Sequence, residues 1–219
     1  MIRLEKIMSL LLIGIIPIMV LCMTSNLIFR APDLYQNEFM STDIVNNSNI
    51  NMTAEELGEF FSRYMLGISD EFQIVPDPEM SQDKLFTEGE QLAMQQFAKI
   101  LNIQLIIGAV LLVITVLLYL YFLRKRWPEI LRKRFFGACI FFTLMIISSI
   151  LVYNIQDASE FLYNLIFTYD PGETDLLPQL LGRHFAKSSL VAGNMVAAVV
   201  MVVIYYLTWR LTKPRRMFW

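Results

Sequence analysis

The chain has 219 residues, 56% of them apolar and 17% charged, with a formal net charge of −2 and a mean hydropathy of +0.51. The apolar residues gather in four long blocks, a membrane composition that excludes a soluble globular or disordered chain. Two cysteines, Cys22 and Cys139, both inside those blocks, and one histidine make neither a disulfide framework nor a metal cluster, and no cofactor is expected.

A helix crosses a hydrocarbon core of roughly 30 Å with about 20 mainly apolar residues, because each backbone polar group must be satisfied within the segment. Residues 7–29 are the first predicted span, with Pro17 and Asn26 as its notable interruptions, and Arg3 and Lys6 precede it. A secretory signal is the alternative reading, but the block is about twice the usual apolar length of one. Leu21 also stands before Cys22 where a lipid-attachment site wants a small residue, so an uncleaved helix is expected.

Residues 30–99 carry thirteen Asp and Glu against four Arg and Lys. An Asn-rich stretch leads to Thr53 and Glu56, at capping-box spacing. Leu57, Phe60, Phe61, Tyr64 and Met65 then recur at helical spacing, predicting an amphipathic helix. A segment of this size is small for an independent core, so that face is expected to rest on the membrane surface or on the second outer segment. Asn46 and Asn51 match the glycosylation triplet only as weak signals. Val75-Pro76-Asp77-Pro78 cannot be helical. Thr87 and Glu90 form a second capping box, and nothing stops a helix from there through the uncharged second span, 100–123.

The loop 124–134 holds Arg124, Lys125, Arg126, Arg132, Lys133 and Arg134, a topological signal and headgroup contact rather than a nucleic-acid site. Residues 135–155 are the third span. Residues 156–188 carry five acidic against two basic residues. There Asp157 and Glu160 stand at capping spacing before Phe161, Leu162, Leu165 and Ile166, and Pro171-Gly172 breaks the chain. Asp175-Leu176-Leu177-Pro178-Gln179-Leu180-Leu181 is too apolar for an exposed loop and too short to span, and reads as an interfacial or re-entrant piece. Residues 189–209 are the fourth span, and the tail 210–219 adds Arg210, Lys213, Arg215 and Arg216. Trp127, Trp209 and Trp219 fit interfacial anchors.

The expected fold is therefore an all-α membrane protein. Its four transmembrane helices carry a helical extracytoplasmic segment and a second outer loop with a short interfacial helix, and both termini are cytoplasmic. The spans contain no ionisable side chain suited to a proton relay or a charged-ion pore. Asn102, Gln104, Asn154 and Asn194, in or near them, are expected to hydrogen-bond between helices.

Three stretches carry a family resemblance: Met52-Thr53-Ala54-Glu55-Glu56-Leu57, Phe86-Thr87-Glu88-Gly89-Glu90-Gln91-Leu92-Ala93-Met94, and Asp175 to Leu181 running on to His184-Phe185. In order and placement they resemble the bacterial four-span family that includes lipoprotein intramolecular transacylase. The second stretch is similar to the family's Phe-Ser/Thr-Glu-Arg-Glu-x-x-His-Met, and the third to its Asp-Pro-Leu-Ile-x-Leu-Leu-Pro-x-x-Phe-Phe. The resemblance implies a bacterial plasma-membrane protein. The implied activity, at the outer face, moves one acyl chain from a diacylglyceryl group to the α-amine of a lipoprotein's first cysteine. Such a transfer needs a base for the nitrogen and donors for the oxyanion, and histidine, with an unperturbed pKa of about 6.5, suits the first task.

The sequence departs from the pattern at those bases. Ala93 stands where the resemblance expects a histidine before the methionine, and Gln96 where it expects an acid. The second family histidine falls near Tyr163 or Asn164. The candidate catalytic residues are accordingly Glu90, Tyr163 and His184, and the candidate substrate-binding residues Asp175, Arg183 and Asn164. Each has a plainer role. Glu90 caps a helix with Thr87, His184 touches lipid headgroups, and Asp175 caps a helix unless it holds Arg183. Tyr163 can donate to an oxyanion, but an ordinary phenol pKa of about 10 disqualifies it as a base. The leading expectation is binding of membrane lipid or an acylated protein with the standard histidine chemistry lost, a pseudoenzyme. The alternatives are an active acyltransferase using substitute residues, and a non-enzymatic subunit that docks a membrane partner through Leu57–Met65.

Overall fold

The structure, a computed structural model, describes residues 3–42, 52–74, 85–125, 127–155 and 175–213. Seven helices are described: α1 (Arg3–Ile28), α2 (Pro32–Thr42), α3 (Ala54–Met65), α4 (Glu88–Arg124), α5 (Pro128–Asn154), α6 (Leu177–Leu180) and α7 (Arg183–Thr212). No strand occurs among the described residues, and α1, α4, α5 and α7 are long and apolar enough to cross a membrane. The chain divides into two compact units.

The first unit comprises Met1–Ser25, Gln104–Leu151 and Gly193–Trp219. Helix α1 is the most enclosed of the four spanning helices: 39% of its apolar window is buried, against 17%, 17% and 11% for the others. Its Leu12, Ile16, Met19 and Val20 meet Leu118 and Phe122 of α4, Leu131, Phe135, Ala138 and Phe142 of α5, and Ala197 and Met201 of α7. Lipid is as apolar as these side chains, so close packing and polar ties, not exclusion from water, must hold the helices together. Gly108 and Gly137 allow that approach, since a Cβ there would lie 3.2 Å from Met23 Sδ and 3.2 Å from Ile13 Cδ1. Gln104 Nε2 donates to Ser25 Oγ (2.7 Å), Asn194 Nδ2 donates to Ser149 Oγ (3.2 Å), and the Tyr119 and Thr208 hydroxyls lie 2.9 Å apart. Part of the basic cluster is tied down as well. Lys125 pairs with buried Glu5 at 3.9 Å, Arg132 donates to the Thr212 carbonyl (2.8 Å), and Arg134 donates to Ser9 Oγ (3.2 Å).

The second unit comprises Asn26–Ile103 and Val152–Ala192. The capping box that opens α3 is formed, with the Thr53 hydroxyl accepting from the Glu56 N–H (3.2 Å) and the Glu56 carboxylate accepting from the Thr53 N–H (2.8 Å). These bonds hold the Glu56 carboxyl below the usual carboxylate range. The helix stops at Gly67, whose φ of +72° lets its N–H reach the Tyr64 carbonyl while the Ile68 N–H reaches that of Arg63. Of the two supports expected for the apolar face of α3, the second outer segment shares its core through Leu177, Leu180 and Leu181. Leu57, Phe61, Tyr64 and Met65 are buried with Tyr35 and Phe39 of α2, an element the sequence reading left unassigned, and with Phe72, Phe86 and Phe97. The unit therefore has its own core, built largely from aromatic side chains, whose area compensates for the small size of the segment. Phe72 and Phe86 lie 4.5 Å apart between ring centroids, Phe61 lies 5.1 Å from Phe72, and Tyr35 stacks on Phe185 at 5.4 Å. Buried Tyr35 donates to the Phe29 carbonyl (2.7 Å), and burial raises its phenol well above the ordinary value.

The short helix expected in the second outer segment is α6. Its Leu177 and Leu180, with Leu181, are buried in this same core, so the apolarity that reads as interfacial serves internal packing. The Asp157–Ile166 and Val75–Pro78 readings lie outside the described residues, as do Asn46 and Asn51.

Candidate functional site

Glu90 is the third residue of α4, and its side chain is almost wholly buried, at 1% exposure. One carboxylate oxygen accepts from the Thr87 N–H (2.7 Å) and from the Thr87 hydroxyl (3.1 Å). The other accepts from the backbone N–H of Leu177 (2.6 Å). This carboxylate thus closes the capping box of α4 and also holds the start of α6, 87 residues away. Both oxygens are committed to donors. One turn on, Ala93 is buried at 1% in the aromatic core beside Met94 and Phe97, so the position where the resemblance expects a histidine offers no proton carrier.

The single histidine is placed differently. His184 is in the first turn of α7, with 64% of its side chain exposed, and its Nδ1 lies 2.6 Å from Oε1 of Glu38 on α2. Glu38 is buried at 3% and accepts from the Ser188 hydroxyl through Oε2 (2.9 Å). The sequence explains the pairing locally. On α2, Tyr35, Glu38 and Phe39 share a face by the i, i+3, i+4 rule, and on α7 His184 and Ser188 are one turn apart. The stack of Phe185 on Tyr35 fixes the two helices together and brings the imidazole onto the carboxylate. A carboxylate oxygen so close to Nδ1 accepts from that nitrogen when it carries hydrogen. Glu38 and Ser188 escaped the sequence reading, in which Glu38 was one of thirteen acidic residues of its segment. Only Pro32 at the start of a Leu34-Tyr35-Glu38-Phe39 spacing signals a helix there.

Asp175 precedes α6 but does not cap it. The N-cap is Leu176, with no side-chain cap bond, while the Asp175 carbonyl accepts from Gln179 Nε2 (3.2 Å). Arg183 is the first residue of α7, and its side chain, like Tyr163 and Asn164, lies outside the described residues. Asn102 accepts from the Arg30 guanidinium (2.6 Å), which anchors the turn after α1. No group of three potential metal ligands converges among the described residues.

No protein-family model matches this chain, and no curated protein matches it in sequence. Solved structures do. The chain is similar to the membrane integral lipoprotein intramolecular transacylase of Bacillus cereus in a variant with a histidine replaced by alanine, at a TM-score of 0.72 and 19% identity over 99% of this chain and 97% of that one. A variant with histidine replaced by arginine gives 0.73 and 19% over 98% and 95%. A third structure of that protein gives 0.70 and 17% over 99% of each. The four-span, all-helical membrane fold of that transacylase is thus the fold of this chain, as the three sequence stretches led one to expect.

Proposed function

We propose that this protein binds an acyl-bearing ligand, membrane lipid or the lipidated end of a lipoprotein, at the outer face of the bacterial plasma membrane, and that it does so without the histidine pair of the family it resembles. The observation that carries the second half is Ala93, buried beside a Glu90 whose carboxylate is committed to Thr87 and Leu177. The first half draws on the shared fold and on the acidic segments 30–99 and 156–188, which the positive-inside rule assigns to the outside. A partner-subunit role loses its sequence support, because the face Leu57–Met65 offered for docking is buried inside the protein's own core.

The test is a binding titration with the protein in lipid nanodiscs. A synthetic peptide bearing an S-diacylglyceryl cysteine is expected to bind, and the same peptide without its lipid is not. Equal binding of the two would refute the reading.

A further inference from the structure

We propose that Arg30, Arg63 and Lys99 together receive the phosphodiester of a glycerophospholipid, whose acyl chains lie along the exposed apolar residues beside them. The inference rests on the acyl-bearing ligand proposed above and narrows it to a phosphate-bearing lipid.

The charges of the segment give the first reason. Residues 30–99 hold thirteen acidic residues and only four basic ones, so partners for the cations are plentiful. Arg30, Arg63 and Lys99 nevertheless take none. No carboxylate among the described residues lies within ion-pair distance of any of the three.

The fold then draws the three to one corner of the second unit. Arg30 follows α1, and its carbonyl accepts from the Ser62 hydroxyl of α3 (2.6 Å), so Arg63 is the residue next to a direct contact. The Arg30 guanidinium donates through Nη2 to Asn102 Oδ1 on α4 (2.6 Å). Lys99 stands one turn before Asn102, and i, i+3 neighbours on a helix are about 5–6 Å apart between Cβ atoms. Both Arg63 and Lys99 are exposed.

Arg30 is also held without being satisfied. A guanidinium has five N–H donors in a flat fork, yet one alone meets an acceptor among the described residues, and Nε is buried without a partner. The amide of Asn102 orients the fork and leaves its charge in place. An arginine that served only to tie the end of α1 to α4 would gain more from a carboxylate at that position. Two oxygens of a phosphate match the outer edge of the fork, Nη1 and Nη2, in both geometry and charge. Apolar surface adjoins it. Leu27, whose carbonyl accepts from the Arg30 N–H (3.3 Å), is exposed, and so are Ile100 and Ile103, which follow Lys99 and Asn102. Free phosphate would use the cations alone, whereas a phospholipid uses the cations and the apolar side chains together.

The experiment takes the whole protein, delipidated in a non-ionic maltoside detergent, and measures its affinity for three probes. Phosphatidylglycerol has phosphate and chains, diacylglycerol with the same chains lacks the phosphate, and glycerol 3-phosphate lacks the chains. Phosphatidylglycerol is expected to bind about tenfold tighter than diacylglycerol, or more, the effect of one charge-assisted fork. An equal amount of glycerol 3-phosphate should not displace it. Arg30→Gln should remove most of that advantage while leaving diacylglycerol affinity unchanged, and Arg30→Lys, which keeps the charge and loses the fork, should retain part of it. The double variant Arg63→Gln, Lys99→Gln changes exposed side chains only and should weaken phosphatidylglycerol about threefold, which decides the matter should the Arg30 variants not fold.

Equal affinity for the two lipids overturns the phosphate assignment. So does a loss in Arg30→Gln that is the same for both, the mark of a purely structural tie, and so does phosphatidylglycerol binding untouched by the double variant. Displacement by glycerol 3-phosphate as complete as by the lipid itself overturns it too, since the ligand would then be free phosphate. Binding of diacylglycerol or of the S-diacylglyceryl lipopeptide in these cases leaves the acyl-binding reading standing, whereas failure of all the acyl-bearing probes to bind removes both.

Discussion

Two buried glutamates, Glu90 and Glu38, are set apart by what surrounds them. Glu90 meets backbone N–H groups and a threonine hydroxyl, and so ties α4 to α6. Glu38 meets an exposed imidazole. Glu90→Gln should accordingly destabilise the protein by about 1.5–3 kcal/mol, because an amide cannot accept all three bonds and sets its own N–H groups against theirs. Thermal unfolding in detergent checks this. Ala93→His, which restores the residue the resemblance expects, should cost about 1–3 kcal/mol by overpacking a filled core and should bring no gain in acyl transfer. A rise in lyso-lipopeptide formation in that variant would contradict the account. At this scale the sequence was partly legible. Thr87 and Glu90 announce their capping box by spacing, but the bond from Glu90 to Leu177 and that from Glu38 to His184 join residues 87 and 146 positions apart, and no local pattern encodes them.

The elements were legible where a strong period or cap marks them, and not where a short helix depends on tertiary packing. Helix α3 has its capping box, its apolar stripe and its terminal glycine. Helix α4 continues unbroken from Glu88 to Arg124 as the missing breakers imply. Helix α2 has a sparse stripe and hides among polar residues, yet it carries Glu38 and covers α3. Their crossing depends on Gly58, where a Cβ would stand 2.9 Å from the Gln36 backbone nitrogen. Gly58→Ala is therefore expected to push the helices apart and lower stability by about 1–3 kcal/mol, read as a lower unfolding temperature. The cap of α3 also has a pH signature. The folded-state pKa of Glu56 lies below its unfolded value, so the cap contributes stability above the ordinary carboxylate range and loses it as pH falls through the folded value. Thr53→Ala should flatten that acid limb, and equal acid sensitivity in the variant and the wild type would count against the cap.

For the whole molecule, the four spans were legible from hydrocarbon-length apolar blocks, and each falls to within a residue inside a longer helix. The core of the second unit was not, because its aromatic side chains come from five separate stretches of chain and rank as ordinary apolar residues until the fold assembles them. Orientation follows from charge alone and is open to direct measurement. With Cys22 and Cys139 replaced by alanine, Asp70→Cys should react with a membrane-impermeant maleimide on intact cells, and Glu129→Cys only after permeabilisation. The reverse pattern would invert the topology. The central claim, that an acyl-bearing ligand is engaged by the unit that carries the acidic outer segments, is tested most directly by photocrosslinking. A diacylglyceryl lipopeptide with a photoreactive residue next to its lipidated cysteine is irradiated with the protein in membranes, and the adducts are mapped. The account predicts adducts on peptides from Asn26–Ile103 and Val152–Ala192, and few with the unlipidated peptide. Adducts confined to Gln104–Leu151 and Gly193–Trp219, or equal labelling by the unlipidated peptide, would contradict it.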